Sequence, residues 1–236
     1  MNTPGRAPGH TVGVLVLFDI DGTLVHGLPE GHTRAMTDAM QAVWDVSATP
    51  DDVWRIEPAG RTDREIARLV LRAQGVDDEA IDAGILEWID LACHVHGETM
   101  HMHPAPMAAP DAHAVTAALA AHGAETALVT GNLEGIGRAK VATAGLGDRF
   151  AVGGGGFGSD AEARADLVRL ARARARYPHA DRDVVVVGDT PRDVAAARDA
   201  GVRVIGVTTG AHDAHALAGA DAVVADLTGA LAVLLG

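Results

Sequence analysis

Residues 12–18 are apolar without a break (Val-Gly-Val-Leu-Val-Leu-Phe) and run into Asp19-Ile20-Asp21-Gly22-Thr23-Leu24. An uncharged run of that length predicts a strand buried on both faces of a parallel sheet. After Val25 the pattern changes. Between Gly27 and Pro106 no strand-like run occurs, and apolar positions recur at spacings of three and four. Three amphipathic helices are predicted there: 32–43 (Ala35, Ala39, Val43), 62–73 (Ile66, Leu69, Val70, Ala73) and 79–95 (Ile81, Ile85, Trp88, Ile89, Ala92). Asp51, Thr62 and Asp77 or Asp78 stand where N-caps are expected. Trp44, Trp54 and Trp88, all the tryptophans of the chain, fall in this segment.

Pro104, Pro106 and Pro110 punctuate the chain, and strand and helix patterns then alternate. Strands are predicted at 126–130, 150–152, 184–187, 202–207 and 222–224, and helices at 111–122, 132–144, 160–176, 191–200 and 226–235. Gly153 to Gly156 reads as a flexible exit from the strand at 150–152. Such alternation means a parallel sheet with right-handed crossovers. The expected fold is α/β, a doubly wound parallel sheet interrupted after its first strand by an all-helical insertion. The core would comprise residues 1–26 and 107–236, the insertion 27–106, with residues 1–10 a frayed tail.

Composition narrows the function classes. The formal charge is −13 over 236 residues, which argues against nucleic acid and anionic membranes as general partners. Aromatic residues are 3% of the chain, so the core must be built from Ala, Val, Leu and Ile. Cys93 is the only cysteine, which excludes an internal disulfide and a Cys-based zinc site. Neither a leader pattern nor a membrane span is evident, and a cytoplasmic setting is expected.

Each core strand ends in polar residues: Asp19 and Asp21 after the first, Thr130-Gly131-Asn132 after the second, Gly188-Asp189-Thr190-Pro191-Arg192-Asp193 after the run at 184–187. In a parallel sheet these C-terminal ends share one edge, where ligands bind. Converging carboxylates repel one another, and a hard divalent cation with oxygen ligands relieves this; Mg²⁺ is usual where phosphate shares the shell. Helix N-termini after Thr130 and Gly188 add positive dipole ends.

Phe18-Asp19-Ile20-Asp21-Gly22-Thr23-Leu24 resembles the first motif of the haloacid dehalogenase-like (HAD) superfamily, Leu128-Val129-Thr130-Gly131-Asn132 the second, and the segment from Gly188 to Asp193 the acidic fourth. The helical insertion is similar to the type-1 cap of phosphoglycolate phosphatase-like and β-phosphoglucomutase-like members. Ala59-Gly60-Arg61-Thr62-Asp63 resembles a substrate loop of that cap. The resemblance implies a phosphomonoesterase acting on a small phosphorylated metabolite. Asp19 would be the nucleophile and form an aspartyl-phosphate, and Asp21 the acid and base. Mg²⁺ would be held by Asp19, the Asp21 carbonyl and Asp189, and the phosphoryl oxygens by Thr130, Gly131 and Asn132. Arg61 and Thr62 would meet substrate, although Thr62 followed by Asp63 also fits a plain helix cap. The third-motif cation is Arg164, 25 residues before Asp189, or else Lys140, the only lysine of the chain. Asp193 would orient its loop.

Within this family a sugar phosphomutase is the nearest alternative, and in another class a phosphoacceptor switch or ligand-binding relative. No cap lysine is present for phosphonatase chemistry. His94, His96, His101 and His103 lack acidic partners at ligand spacing and are expected at the surface; His26 and His32 follow the first motif closely enough to face a substrate.

Overall fold

The computed structural model describes residues 13–27 and 30–236; the expected tail at 1–10 lies outside them. In chain order the elements are β1 (Leu15–Phe18), β2 (Val25–His26), α1 (Glu30–Trp44), α2 (Pro50–Trp54), α3 (Asp63–Ala73), α4 (Asp78–Thr99), β3 (Met107–Ala108), α5 (Ala112–Ala121), β4 (Glu125–Thr130), α6 (Glu134–Thr143), β5 (Gly156–Phe157), α7 (Arg164–Ala173), β6 (Val184–Gly188), α8 (Pro191–Asp199), β7 (Arg203–Val207), β8 (Ala222–Val224) and α9 (Leu227–Leu235).

Six strands form one parallel sheet in the order β5-β4-β1-β6-β7-β8. The first strand in sequence is therefore central, with Leu15 opposite both Glu125 and Val184 and Phe18 opposite Leu128 and Val187. Its four residues are wholly buried, as the unbroken apolar run requires. Strand alternation divides them between two layers. Val16 and Phe18 pack with Val115 and Leu119 of α5 and Leu227 of α9. Leu15 and Leu17 face the other way, onto Leu167 and Val168 of α7 and Val194 and Ala197 of α8.

Between β2 and β3, which pair antiparallel, the described chain is helical. The insertion has an apolar core of its own. Met36, Met40, Ile66, Val70, Leu71, Ile81 and Trp88 cluster there, and Leu133 and Ile136 at the start of α6 belong to the same cluster. The insertion thus seats on the parallel-sheet layer through shared apolar surface. Trp88 is fully buried, and its indole N–H donates to the Met36 carbonyl (3.1 Å). No helix among the described residues is long and apolar enough to cross a membrane.

Several expectations need correction. No strand forms at 150–152: Phe150 is buried edge-on to Phe18, but Val152 is 92% exposed, so that apolar triplet offers one inward residue rather than a strand. The edge strand is β5, and Gly156, expected in a strand exit, opens it. A Cβ at Gly156 would lie 2.0 Å from the Leu167 carbonyl oxygen, so glycine lets α7 pack close. Helix α7 begins at Arg164, four residues later than the Asp160 expected. Asp160 instead accepts from the Phe157 N–H (2.9 Å) and pairs with Arg174. The short helix α2 and the β2–β3 pair are additional to the sequence expectations; α2 is capped by Thr49 and not by Asp51. Thr62 and Asp77 do cap α3 and α4, accepting from Glu65 N–H and Ala80 N–H.

Removing the Trp88 side chain leaves a large hole at the centre of the insertion and ends its hydrogen bond to α1. Trp88→Ala is expected to lower stability by about 3–5 kcal/mol, read as a fall in the urea midpoint at constant slope; an unchanged midpoint would contradict the packing described.

Candidate active site

The C-terminal edge of the central strands gathers the polar residues. Asp19 follows β1, its N–H donating to the Val187 carbonyl (2.9 Å). Thr130 ends β4, and Asp189 follows β6. Thr190 caps α8 in a reciprocal pair with Asp193: Thr190 N–H and Oγ1 donate to Asp193 Oδ2 (3.0 and 2.7 Å), while Asp193 N–H donates to Thr190 Oγ1 (3.2 Å). Asp19, Thr130, Asn132, Asp189 and Asp193 are all buried.

Arg164, the first residue of α7, enters this acidic group from below the insertion. Its Nη2 donates to Asp19 Oδ1 (2.8 Å) and Asp193 Oδ1 (2.5 Å), Nε to Asp193 Oδ1 (2.9 Å), and Nη1 to the Gly60 carbonyl (3.1 Å). Burial works against its charge, but Asp193 and Asp19 more than compensate and hold Arg164 protonated. One guanidinium does not neutralise three carboxylates. Burial, opposed by Arg164 and reinforced by Asp193, Asp189 and Asp21, pushes the Asp19 carboxyl well above its usual range. Burial and the neighbouring Asp193 push Asp189 up to about 7.

That electrostatic excess bears on metal binding. Asp19, Asp189 and Asp193 each bring a ligand oxygen within 4.8 Å of the others. Asp193 is committed to Arg164 and Thr190, which leaves Asp19 and Asp189 as the facing donors. Space around Asp189 is kept by two glycines. A Cβ at Gly22 (φ +81°) would lie 2.5 Å from Asp189 Oδ2, and one at Gly210 1.7 Å from it. Thr23 Oγ1 donates to Asp189 Oδ1 (3.1 Å). An all-oxygen donor set with unbalanced negative charge fits a hard divalent cation.

Asp21 is turned away from this group. Lys140 Nζ donates to both its oxygens (2.9 and 2.7 Å) and to Asn132 Oδ1 (2.8 Å). Asn132 Nδ2 donates to Asp21 Oδ2 (2.8 Å) and Thr130 Oγ1 (2.7 Å). Loss of solvation raises the Asp21 pKa, but the Lys140 ammonium and these bonds outweigh it and hold the carboxyl below its usual range. The network continues into the insertion. His32 Nε2 donates to Asp63 Oδ2 (2.8 Å), so its Nδ1 accepts from Lys140 (3.2 Å). Asp63 Oδ2 also accepts from Leu133 N–H (2.7 Å), and Asp63 N–H donates to the Gly131 carbonyl (2.7 Å). Insertion and core are therefore joined by hydrogen bonds at the site itself.

Between them lies a cleft of about 280 Å³. Of the sequence candidates, Asp19, Asp21, Thr130, Gly131, Asn132, Arg61, Arg164 and Asp189 line it, as do Lys140 and His32. Thr62 does not: it is fully buried, accepting from Glu65 N–H and donating to the Glu162 carbonyl (2.9 Å). The two candidate cations divide the aspartates, Arg164 on Asp19 and Lys140 on Asp21. Asp63 stands within the segment expected as a substrate loop, but its contacts to His32 and the Leu133 N–H were not expected, because its place directly after a cap residue also fits an ordinary first-turn acid. The surface expectation for the histidine group fails at His96, which is buried and packs edge-on behind His32 (centroids 6.3 Å). A wider groove, about 540 Å³ around Arg172 and Tyr177, contains none of the site carboxylates.

Fold and site together define a hydrolase with a carboxylate centre at the sheet edge. The chain belongs to the haloacid dehalogenase-like hydrolases: that family's model matches residues 14–201. Among named relatives, it is 32% identical over 214 residues to phosphoglycolate phosphatase of Rhodospirillum rubrum, covering 83% of this chain and 79% of that protein. Solved structures share the fold. A hydrolase from Pseudomonas syringae superposes with a TM-score of 0.63 at 20% identity, covering 94% of this chain and 97% of its own. CbbY from Rhodobacter sphaeroides, in complex with phosphate, gives 0.62 at 21% identity, covering 90% and 94%.

Burial, with the nearby His32, Lys140 and His103, pushes the His96 imidazole down to about 4 from an ordinary 6.5. A depressed folded-state value means the unfolded chain binds the extra proton. Stability is therefore full above about pH 6.5 and falls as pH drops toward 4, by at most about 2 kcal/mol between pH 7 and 5 from this group. His96→Gln is expected to flatten that slope in urea titrations across this range; an unaltered slope would show that His96 is not its source.

Proposed function

We propose that the chain is a Mg²⁺-dependent phosphomonoesterase acting on a small phosphorylated metabolite through an aspartyl-phosphate at Asp19. The observation carrying this reading is the Asp19 carboxylate, fixed on the central strand with Arg164 on Oδ1 and Asp189 across from it. The family and the phosphatase relative point the same way.

Mg²⁺ would be held by Asp19, Asp189 and the Asp21 carbonyl, and when bound it offsets the carboxylate excess and the charge of the phosphoryl oxygens. Asp19 attacks phosphorus; the bond from phosphorus to the alcohol oxygen breaks, and that oxygen takes a proton from Asp21. Water then attacks the acyl phosphate and gives its proton to Asp21, and the Asp19–phosphorus bond breaks to release phosphate. Thr130 and the backbone at Gly131 and Asn132 bind the phosphoryl oxygens, and Arg164 orients Asp19. Asp21 gives up its proton in the first step, and Lys140 and Asn132 then hold the resulting carboxylate, the form that accepts the water's proton in the second. Arg61 lines the substrate side of the cleft. The insertion, bonded to the core through Asp63 and His32, excludes bulk water.

With Mg²⁺, the protein is expected to release phosphate from a generic aryl phosphate. Asp19→Asn should lower kcat by about a thousandfold or more while the protein remains folded by circular dichroism. Chelation with EDTA should abolish turnover and added Mg²⁺ restore it. Equal turnover by Asp19→Asn, or indifference to EDTA, would overturn the reading.

A further inference from the structure

The two ends of the cleft differ in chemistry. The sheet end is ionic. The insertion end is walled by Met36 of α1, Val53 and Trp54 of α2, and Ile66 of α3. Met36, Val53 and Ile66 are buried behind the surface, whereas Trp54 is 50% exposed. Trp54 is also the tryptophan whose indole N–H has no partner among the described residues: Trp44 donates to the Ala80 carbonyl and Trp88 to that of Met36. The other large exposed apolar side chains, such as Leu86, Met102 and Val152, lie away from the cleft. An exposed aromatic ring at the rim of a cleft offers a face against which a flat ligand group can stack.

The cations of the cleft are already committed. Arg164 holds Asp19 and Asp193, and Lys140 holds Asp21. Arg61 is turned onto Glu65 and donates to the Ile56 carbonyl (3.1 Å). His32 donates to Asp63, and the Nδ1 of His212, although unpartnered, is closed off from solvent. A second anionic group reaching the insertion end would shed water and have to compete with Glu65 for Arg61, which is costly. A flat uncharged group there would cover Trp54 and lose apolar area to the cleft. A volume of about 280 Å³ is at the small end for ligand sites, sufficient for a phosphate and one ring.

We infer that the leaving alcohol of the substrate is uncharged and carries a single aromatic ring that stacks on Trp54, so that the cleft discriminates against phosphate esters bearing a carboxylate. Trp54 is then a specificity residue. The inference rests on the phosphomonoesterase reading for its catalytic meaning, but not for its measurement, since binding of non-hydrolysable analogues reports on it alone.

Isothermal titration of the Mg²⁺-loaded protein with benzylphosphonate and with phosphonoacetate makes the comparison. Benzylphosphonate is expected to bind at least about tenfold more tightly. Trp54→Ala should erase most of that difference by weakening benzylphosphonate alone, and Trp54→Phe should retain it. Because Trp54 is half exposed, the variants should keep the wild-type urea midpoint. In turnover, phenyl phosphate should exceed phosphoglycolate in kcat/KM, with Trp54→Ala raising KM for phenyl phosphate about five- to tenfold at nearly constant kcat. Equal or tighter binding of phosphonoacetate, or a Trp54→Ala effect shared by both ligands, overturns the inference. Preferential benzylphosphonate binding without turnover of any ester supports it and overturns the phosphomonoesterase reading instead.

Discussion

The guanidinium of Arg164 lies between Asp19 and Asp193 and reaches up to the Gly60 carbonyl of the insertion. Both carboxylates are buried, and a buried carboxylate without a counterion costs several kcal/mol. Arg164 is thus what permits an acidic group to exist at the end of the central strand. Its position depends on α7 starting late. The residues before it form a loop in which Asp160 ties itself to Phe157 and Arg174, delivering Arg164 to the first helical turn at the sheet edge. Lysine would be a poorer substitute, since a single ammonium has no planar fork to serve two carboxylates and a carbonyl together.

The insertion is held to the same place by two different kinds of force. Apolar contact continues from Trp88 and Met36 to Leu133 and Ile136 at the start of α6. Polar contact runs from Asp63 and His32 to Leu133 N–H, Gly131 and Lys140. The apolar surface is indifferent to small rotations, whereas the hydrogen bonds fix one orientation. Both converge on residues 131–136, so the segment that lines the cleft at Gly131 and Asn132 also seats the insertion.

Much of this was legible in the sequence. The buried run at 12–18, the order of polar strand ends and the three-and-four spacing within the insertion led to the doubly wound sheet and the helical interruption. Asp19, Thr130 and Asp189 followed because strand ends in a parallel sheet have one place to go. What was hidden depends on tertiary neighbours. Phe150 and Val152 carry the same local signal, yet only Phe150 turns inward. His96 and His94 are two residues apart on α4, and only His96 faces His32. Thr62 and Asp63 are adjacent, but the helix start sends the hydroxyl inward to cap α3 and the carboxylate toward α6. Spacing favoured Arg164 over Lys140 as the third-motif cation, but it could not show that the chain has two acidic partners and a cation for each.

Lys140 has a consequence outside the reaction. It is the only lysine in 236 residues, and its side chain is 8% exposed, clamped by Asp21, Asn132 and His32. Positive charge on the side chains of the outer surface therefore comes from guanidinium groups, with no lysine ammonium among them. Acylation, cross-linking through amines and conjugation to other proteins all act on a lysine side chain, and here they find their one side-chain amine inside the cleft. A molecule that labels that amine must first pass between the insertion and the sheet, so lysine modification on this protein would report on the opening of its interior.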